Sequence, residues 1–121
     1  MATIPYILVI DDEAGILDIT AEILEDEGYQ VEKATNGQEG LQKMREARPE
    51  LIMLDMRMPV LDGWGFAKVL HNTGNTVPVV VMTAAQDARR WADEIKADAY
   101  LGKPFDLNEL LAVVEQVLKR P

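Results

Sequence analysis

LIMLDMRMPVLDG, residues 51–63, carries an apolar run straight into a carboxylate, Asp55, and then into a loop punctuated by Pro59 and Gly63. A near-continuous apolar run of this length suits a parallel strand covered on both faces. Proline and glycine beyond it shape a turn. Residues 6–13, YILVIDDE, repeat the arrangement and end in Asp11 and Asp12. Strand candidates fall at 5–10, 29–34, 50–54, 77–82 and a short one near 99–101. The runs around 7–10, 51–54 and 79–82 read as central strands, whereas 29–34 alternates polar and apolar residues and fits an edge.

Helical patterns fill the intervals. In 14–27, Ile16, Leu17, Ile23 and Leu24 form a stripe at three-to-four spacing. Asn36 followed by Glu39 reads as a capping box opening 37–47, and Asp106 with Glu109 repeats it before a final helix striped by Leu107, Leu110, Leu111, Val114, Val117 and Leu118. Further helices are expected near 64–71, after Asp62 and Gly63, and over 86–95. Five strands alternating with five helices predict an open α/β sandwich.

The chain has 121 residues, 48% hydrophobic and 27% charged, which suits one domain with a real core. It has no cysteine and one histidine, so disulfides, thiolate zinc sites and histidine-rich metal chemistry are ruled out. Twenty-one acidic against 12 basic residues give a formal net charge of -9, which repels phosphate backbones and disfavours direct nucleic-acid binding. The opening MATIPYILVI lacks a basic leader, and no apolar run reaches membrane-spanning length. These features predict a cytoplasmic protein with no membrane contact.

In open α/β sheets, ligands sit beyond the carboxyl ends of the strands. Asp11 and Asp12 follow the first strand, Asp55 the third, Thr83 the fourth and Lys103 the fifth, so every polar candidate falls on one rim. Three carboxylates there repel each other unless a cation or a lysine neutralises them. An all-oxygen donor set suits magnesium, with Asp12 and Asp55 as side-chain ligands, Asp11 acting directly or through water, and the Met56 backbone carbonyl as a further oxygen. Such a site can run phosphoryl transfer to a carboxylate. Asp55 would attack in line while magnesium and Lys103 hold the phosphoryl oxygens, with Thr83 donating to one of them and small Ala84 leaving room. Asp55 is expected to be ionised near neutral pH.

The chain resembles the receiver domain of bacterial two-component response regulators. The matching features are Asp11-Asp12 (with Glu13), Asp55 followed by Met58-Pro59 and Asp62-Gly63, Thr83-Ala84, and the run from Tyr100 through Lys103-Pro104 to Phe105, which together span essentially the whole chain. The resemblance implies a single receiver domain over 1–121 with a doubly wound, five-stranded parallel sheet of order 2-1-3-4-5 and five flanking helices (flavodoxin-like). It implies Asp55 as phosphoacceptor; Asp11, Asp12, Asp55 and the Met56 carbonyl around Mg2+ or Mn2+; Lys103 on the phosphoryl group, with a cis peptide before Pro104; and Thr83 with Tyr100 as a switch pair. The donor would be the phosphohistidine of a sensor histidine kinase or phosphotransfer protein. The output would be a downstream protein target or an attached effector domain. Such a domain is not an enzyme in the usual sense, catalysing only its own phosphorylation and dephosphorylation.

Against the family pattern, lysine replaces the usual glycine at Lys96, and the 83–103 stretch is slightly short, which bears on the length and start of the fourth helix. Arg57 occupies a site-rim position that tunes water access in this family. Met44, Met53 and Met82 read as core, Met56 and Met58 as rim, and His71 as a solvated helix residue. Trp64 reads as packing, and Trp91, beside Arg89 and Arg90, as a candidate exposed docking residue. A flavin carrier would need a hydroxyl- and glycine-rich cradle where IDDEAG stands, and the GK[ST] signature of P-loop nucleotide hydrolysis is missing. A magnesium phosphohydrolase would want an acid or base where Arg57 stands. The alternative from another class is a degenerate receiver acting only as a phosphorylation-independent interaction module.

Overall fold

The computed structural model describes residues 4–119, so the first three residues of the MATIPYILVI opening and the terminal Arg120 and Pro121 lie outside it. Five strands, β1 (Tyr6–Ile10), β2 (Gln30–Ala34), β3 (Leu51–Asp55), β4 (Val79–Ala84) and β5 (Ala99–Lys103), alternate with five helices. These are α1 (Ala14–Asp26), α2 (Gly37–Glu46), α3 (Gly63–Asn72), α4 (Ala85–Glu94) and α5 (Leu107–Leu118). The strands form one parallel sheet in the order β2-β1-β3-β4-β5, as expected. Every residue of β1 and β3 is buried, while β2, at an edge, is largely exposed.

The period of two along each strand divides the core into two layers. Leu8, Ile10, Ile52, Leu54 and Val81 face Phe66, Ala67 and Leu70 of α3 and Trp91 and Ala92 of α4. Ile7, Val9, Met53, Val80 and Met82 face Leu17 and Leu24 of α1 and Leu110, Val114 and Val117 of α5. One apolar run thus feeds both layers, which is why the central strands read as continuously hydrophobic.

Helix ends follow local chemistry. Asp106 and Glu109 form a complete capping box. At α2 the Asn36 side chain accepts from the Glu39 N–H at 2.9 Å, but the Glu39 carboxylate reaches back to the Thr35 N–H at 2.8 Å. Asp62 caps α3 through the Gly65 N–H, 2.9 Å. Three helices close with paired carbonyl-satisfying bonds. Gly28 and Tyr29 donate to Glu25 and Leu24, Gly74 and Asn75 to His71 and Leu70, and Lys96 and Ala97 to Asp93 and Ala92. The left-handed residue is glycine in the first two (φ 98° and 72°) and Lys96 in the third (φ 56°).

Two strands, β4 and β5, differ from the sequence reading by two residues, and the other three by no more than one at either end. β4 starts at Val79 rather than 77 because Pro78 has no N–H to give, and it continues through Thr83 and Ala84, which pair with Gly102 and Lys103 of β5. β5 therefore runs two residues beyond 101. It tolerates this at Gly102, where a Cβ would lie 2.7 Å from Ala85. The short 83–103 stretch is accommodated by removing the loop, since α4 begins at Ala85 directly after β4.

Candidate functional site

The carboxyl ends of β1, β3, β4 and β5 bring the acidic, hydroxyl and ammonium groups to one rim. Asp11 is fully buried. Its N–H extends the ladder by donating to the Ala34 carbonyl, 3.0 Å, so the backbone holds the carboxylate at the strand end. Its Oδ1 accepts from the Glu13 N–H at 3.0 Å and its Oδ2 from Lys103 Nζ at 2.8 Å. Asp12 is exposed and does not cap α1, whose N-cap is Glu13 without a side-chain bond. The Asp11 carboxylate takes the Glu13 N–H, and Asp12 is left on the rim.

Asp55 ends β3 and is 5% exposed. Its Oδ1 accepts from the Met56 N–H at 2.9 Å and lies 3.7 Å from Lys103 Nζ. One carboxylate oxygen from each of Asp11, Asp12 and Asp55 lies within 4.8 Å of the other two. Lys103 Nζ also lies 3.7 Å from Glu13 Oε1, so one ammonium faces several carboxylates. The Lys103-Pro104 peptide is cis, as the resemblance implied.

The imbalance shows in the protonation of Asp55. Burial, then the charge of Asp11, push its carboxyl up to about 7, against the lowering effect of Lys103. The expectation of a fully ionised Asp55 near neutral pH therefore does not hold for the cation-free chain. Burial works to lower the Lys103 pKa, but the Asp11 hydrogen bond and the charges of Asp55, Asp11 and Glu13 outweigh it, leaving the pKa raised. Three clustered carboxylates, one of them unable to ionise easily, fit a hard divalent cation with oxygen ligands. The Met56 carbonyl accepts from the Gly63 N–H at 2.8 Å and has a second lone pair available.

A cleft of about 420 Å³ opens over these groups, lined by Glu13, Ile16, Asp55, Arg57, Thr83, Ala84, Lys103 and Pro104. Thr83 is buried and Ala84 exposed. Tyr100 is half exposed, at 49%. It pairs with Val81 as Gly102 pairs with Thr83, so Tyr100 and Thr83 share one face of the sheet two residues apart. Glu13 appeared in the sequence only as a neighbour of the acidic pair, and Ile16 only as a helix stripe. Their place on the cleft depends on the tilt of α1, which periodicity does not encode.

Two further expectations are corrected. Met56 is not on the rim but fully buried, its sulfur beneath Gly63, where a Cβ would meet it at 2.5 Å. Trp91 is not an exposed docking residue: it is 6% exposed and packs edge-on against Trp64 with ring centroids 4.9 Å apart. Flanking arginines suggested exposure, but the α4 face bearing Ala88, Trp91 and Ala92 is turned inward. Met53 and Met82 are core as expected, Met44 packs against it, and His71 is exposed.

The sequence model described as "Response regulator receiver domain" matches residues 7–115. The transcriptional regulatory protein PrrA of Mycobacterium tuberculosis is 42% identical over 120 residues, covering 98% of this chain and 52% of PrrA. The response regulator MprA of Mycolicibacterium vanbaalenii is 40% identical over 116 residues, covering 94% of this chain and 50% of MprA. The chain thus spans about half the length of these curated relatives. Among solved structures, a putative response regulator from Chloroflexus aurantiacus superposes with a TM-score of 0.89 at 30% identity, covering 98% of this chain and 100% of its own. The chemotaxis response regulator CheY4 of Vibrio cholerae gives 0.87 at 30%, covering 95% and 99%.

Proposed function

The chain belongs to the response regulator receiver domain family, and from that premise we propose that it is a single phosphoacceptor domain over 1–121 that takes a phosphoryl group onto Asp55. The observation that carries the reading is Lys103 Nζ lying 2.8 Å from Asp11 and 3.7 Å from Asp55, inside a cluster of three carboxylates. The donor is a phosphohistidine of a sensor histidine kinase or phosphotransfer protein. An Asp55 carboxylate oxygen attacks phosphorus as the bond from phosphorus to the imidazole nitrogen breaks, and the imidazole keeps that electron pair.

Asp11, Asp12, Asp55 and the Met56 carbonyl would hold Mg2+ (or Mn2+). Bound there, the cation supplies positive charge against the carboxylates and the phosphoryl oxygens. Lys103 turns its ammonium to the phosphoryl oxygens, and the Thr83 hydroxyl donates to one of them. Ala84 has no side chain to obstruct the group. Thr83 drawn toward phosphate vacates space on the sheet face it shares with Tyr100, and the half-exposed ring turns in. The domain acts on no other substrate. Its output passes to a downstream protein target or an attached effector domain, in the cytoplasm and without nucleic-acid contact of its own.

The test is intact-mass measurement after incubation with a small phosphoryl donor, with and without Mg2+. Wild type gains one phosphoryl group only with Mg2+, and Asp55→Asn gains none. Equal modification of both proteins removes Asp55 from its role, and no modification of either supports an interaction module that needs no phosphate.

A further inference from the structure

Arg57 stands two residues beyond Asp55 and lines the same cleft as Asp55, Thr83 and Lys103. Its guanidinium carbon lies 5.1 Å from the centroid of the Trp91 ring, within cation–π range. A second guanidinium, that of Arg90, lies 5.9 Å from the same centroid. The two arginines are held differently. Arg90 is paired with Asp87 at 2.7 Å, whereas Arg57 forms no ion pair with a carboxylate among the described residues. Trp91 is the only large side chain that α4 buries, the others being Ala88 and Ala92. Its ring meets Trp64 of α3, whose Nε1–H donates to Glu94 of α4 at 2.8 Å. The seating of α4 therefore centres on the ring that Arg57 covers.

We propose that Arg57 is a phosphoryl-binding residue parked on Trp91 until Asp55 is phosphorylated, so that its transfer to the phosphoryl group uncovers Trp91 and signals to α4 independently of Thr83 and Tyr100. The inference rests on Asp55 being the phosphoacceptor. A guanidinium over the Trp91 ring gains less than one forked onto a phosphoryl dianion, so the arrival of that charge decides where Arg57 resides. Trp91 acts as a positioning residue, keeping Arg57 at the cleft mouth and out of the acidic cluster while the site is unmodified.

Trp91 becomes the sole tryptophan in Trp64→Phe, because the chain has only two. Beryllofluoride with Mg2+ is the probe, standing in for the phosphoryl group. Trp91 emission shifts on adding beryllofluoride, does not shift with Mg2+ alone, and the shift is lost when Arg57→Gln is added. Calorimetry supplies a signed test: Arg57→Gln weakens beryllofluoride binding about tenfold, whereas Trp91→Leu strengthens it about two- to fivefold by releasing Arg57. A merely structural Trp91 would weaken binding in both variants. If Trp91→Leu does not fold, the emission of the exposed-site variant Arg57→Gln decides alone. Unchanged emission, or the same shift with and without Arg57, overturns the proposal while Asp55 is still phosphorylated by intact mass. Absence of both phosphorylation and beryllofluoride binding overturns the functional reading and this inference with it.

Discussion

Asp55 shows what a strand end costs when it must hold a charge. With its carboxyl pushed from 3.8 up to about 7 by burial and by Asp11, the folded chain keeps a proton there that the unfolded chain has already lost. Between these two values unfolding releases a proton, so stability falls as pH rises through that window. Without divalent cation, Asp55→Asn is expected to be more stable than wild type at pH 8 by about 1–3 kcal/mol. The difference should shrink to a small remainder toward pH 4, where the folded Asp55 is neutral like asparagine. Urea unfolding in chelator at the two pH values measures this, and a less stable Asp55→Asn at pH 8 would contradict it. The position of Asp55 was legible because an apolar run stops on it. Its protonation was not, because that depends on Asp11 and Lys103 arriving from β1 and β5.

At the scale of elements, capping and punctuation were legible because they are local. Asn36 with Glu39 and Asp106 with Glu109 each start a helix. What escaped was pairing across chain distance, such as the extension of β4 and β5 through Thr83 and Lys103, and the inward turn of Trp91 on a helix otherwise rich in charge. Lys96 lies between these cases. The sequence marked it as a departure, and the structure places it at φ 56° in the same helix-closing arrangement that Gly28 and Gly74 occupy elsewhere. A left-handed lysine costs about 1–2 kcal/mol, while glycine loses about 0.4–1 kcal/mol through a freer unfolded chain. Lys96→Gly should therefore stabilise the domain by about 0.5 kcal/mol in denaturant melts. A loss of stability would mean that the lysine side chain makes contacts that outweigh its backbone strain.

The whole molecule is an alternating α/β sheet whose parallel strands all point their carboxyl ends at one rim, so residues from four strand ends converge there without a dedicated binding loop. That is why the site could be assembled from the sequence once the strands were placed, and why Glu13, Ile16 and the Arg57–Trp91 contact could not: they depend on how helices lean over the rim. With a net charge of -9, general attraction for cations must be separated from a built site. The decisive measurement is calorimetric titration with Mg2+ in enough monovalent salt to screen the surface. The expected result is one Mg2+ per chain, binding weakened at least about tenfold in Asp12→Asn and in Asp55→Asn, and a stability gain of about 2.7 kcal/mol when Mg2+ is at a hundredfold its Kd. No saturable binding, or binding indifferent to both substitutions, would contradict it.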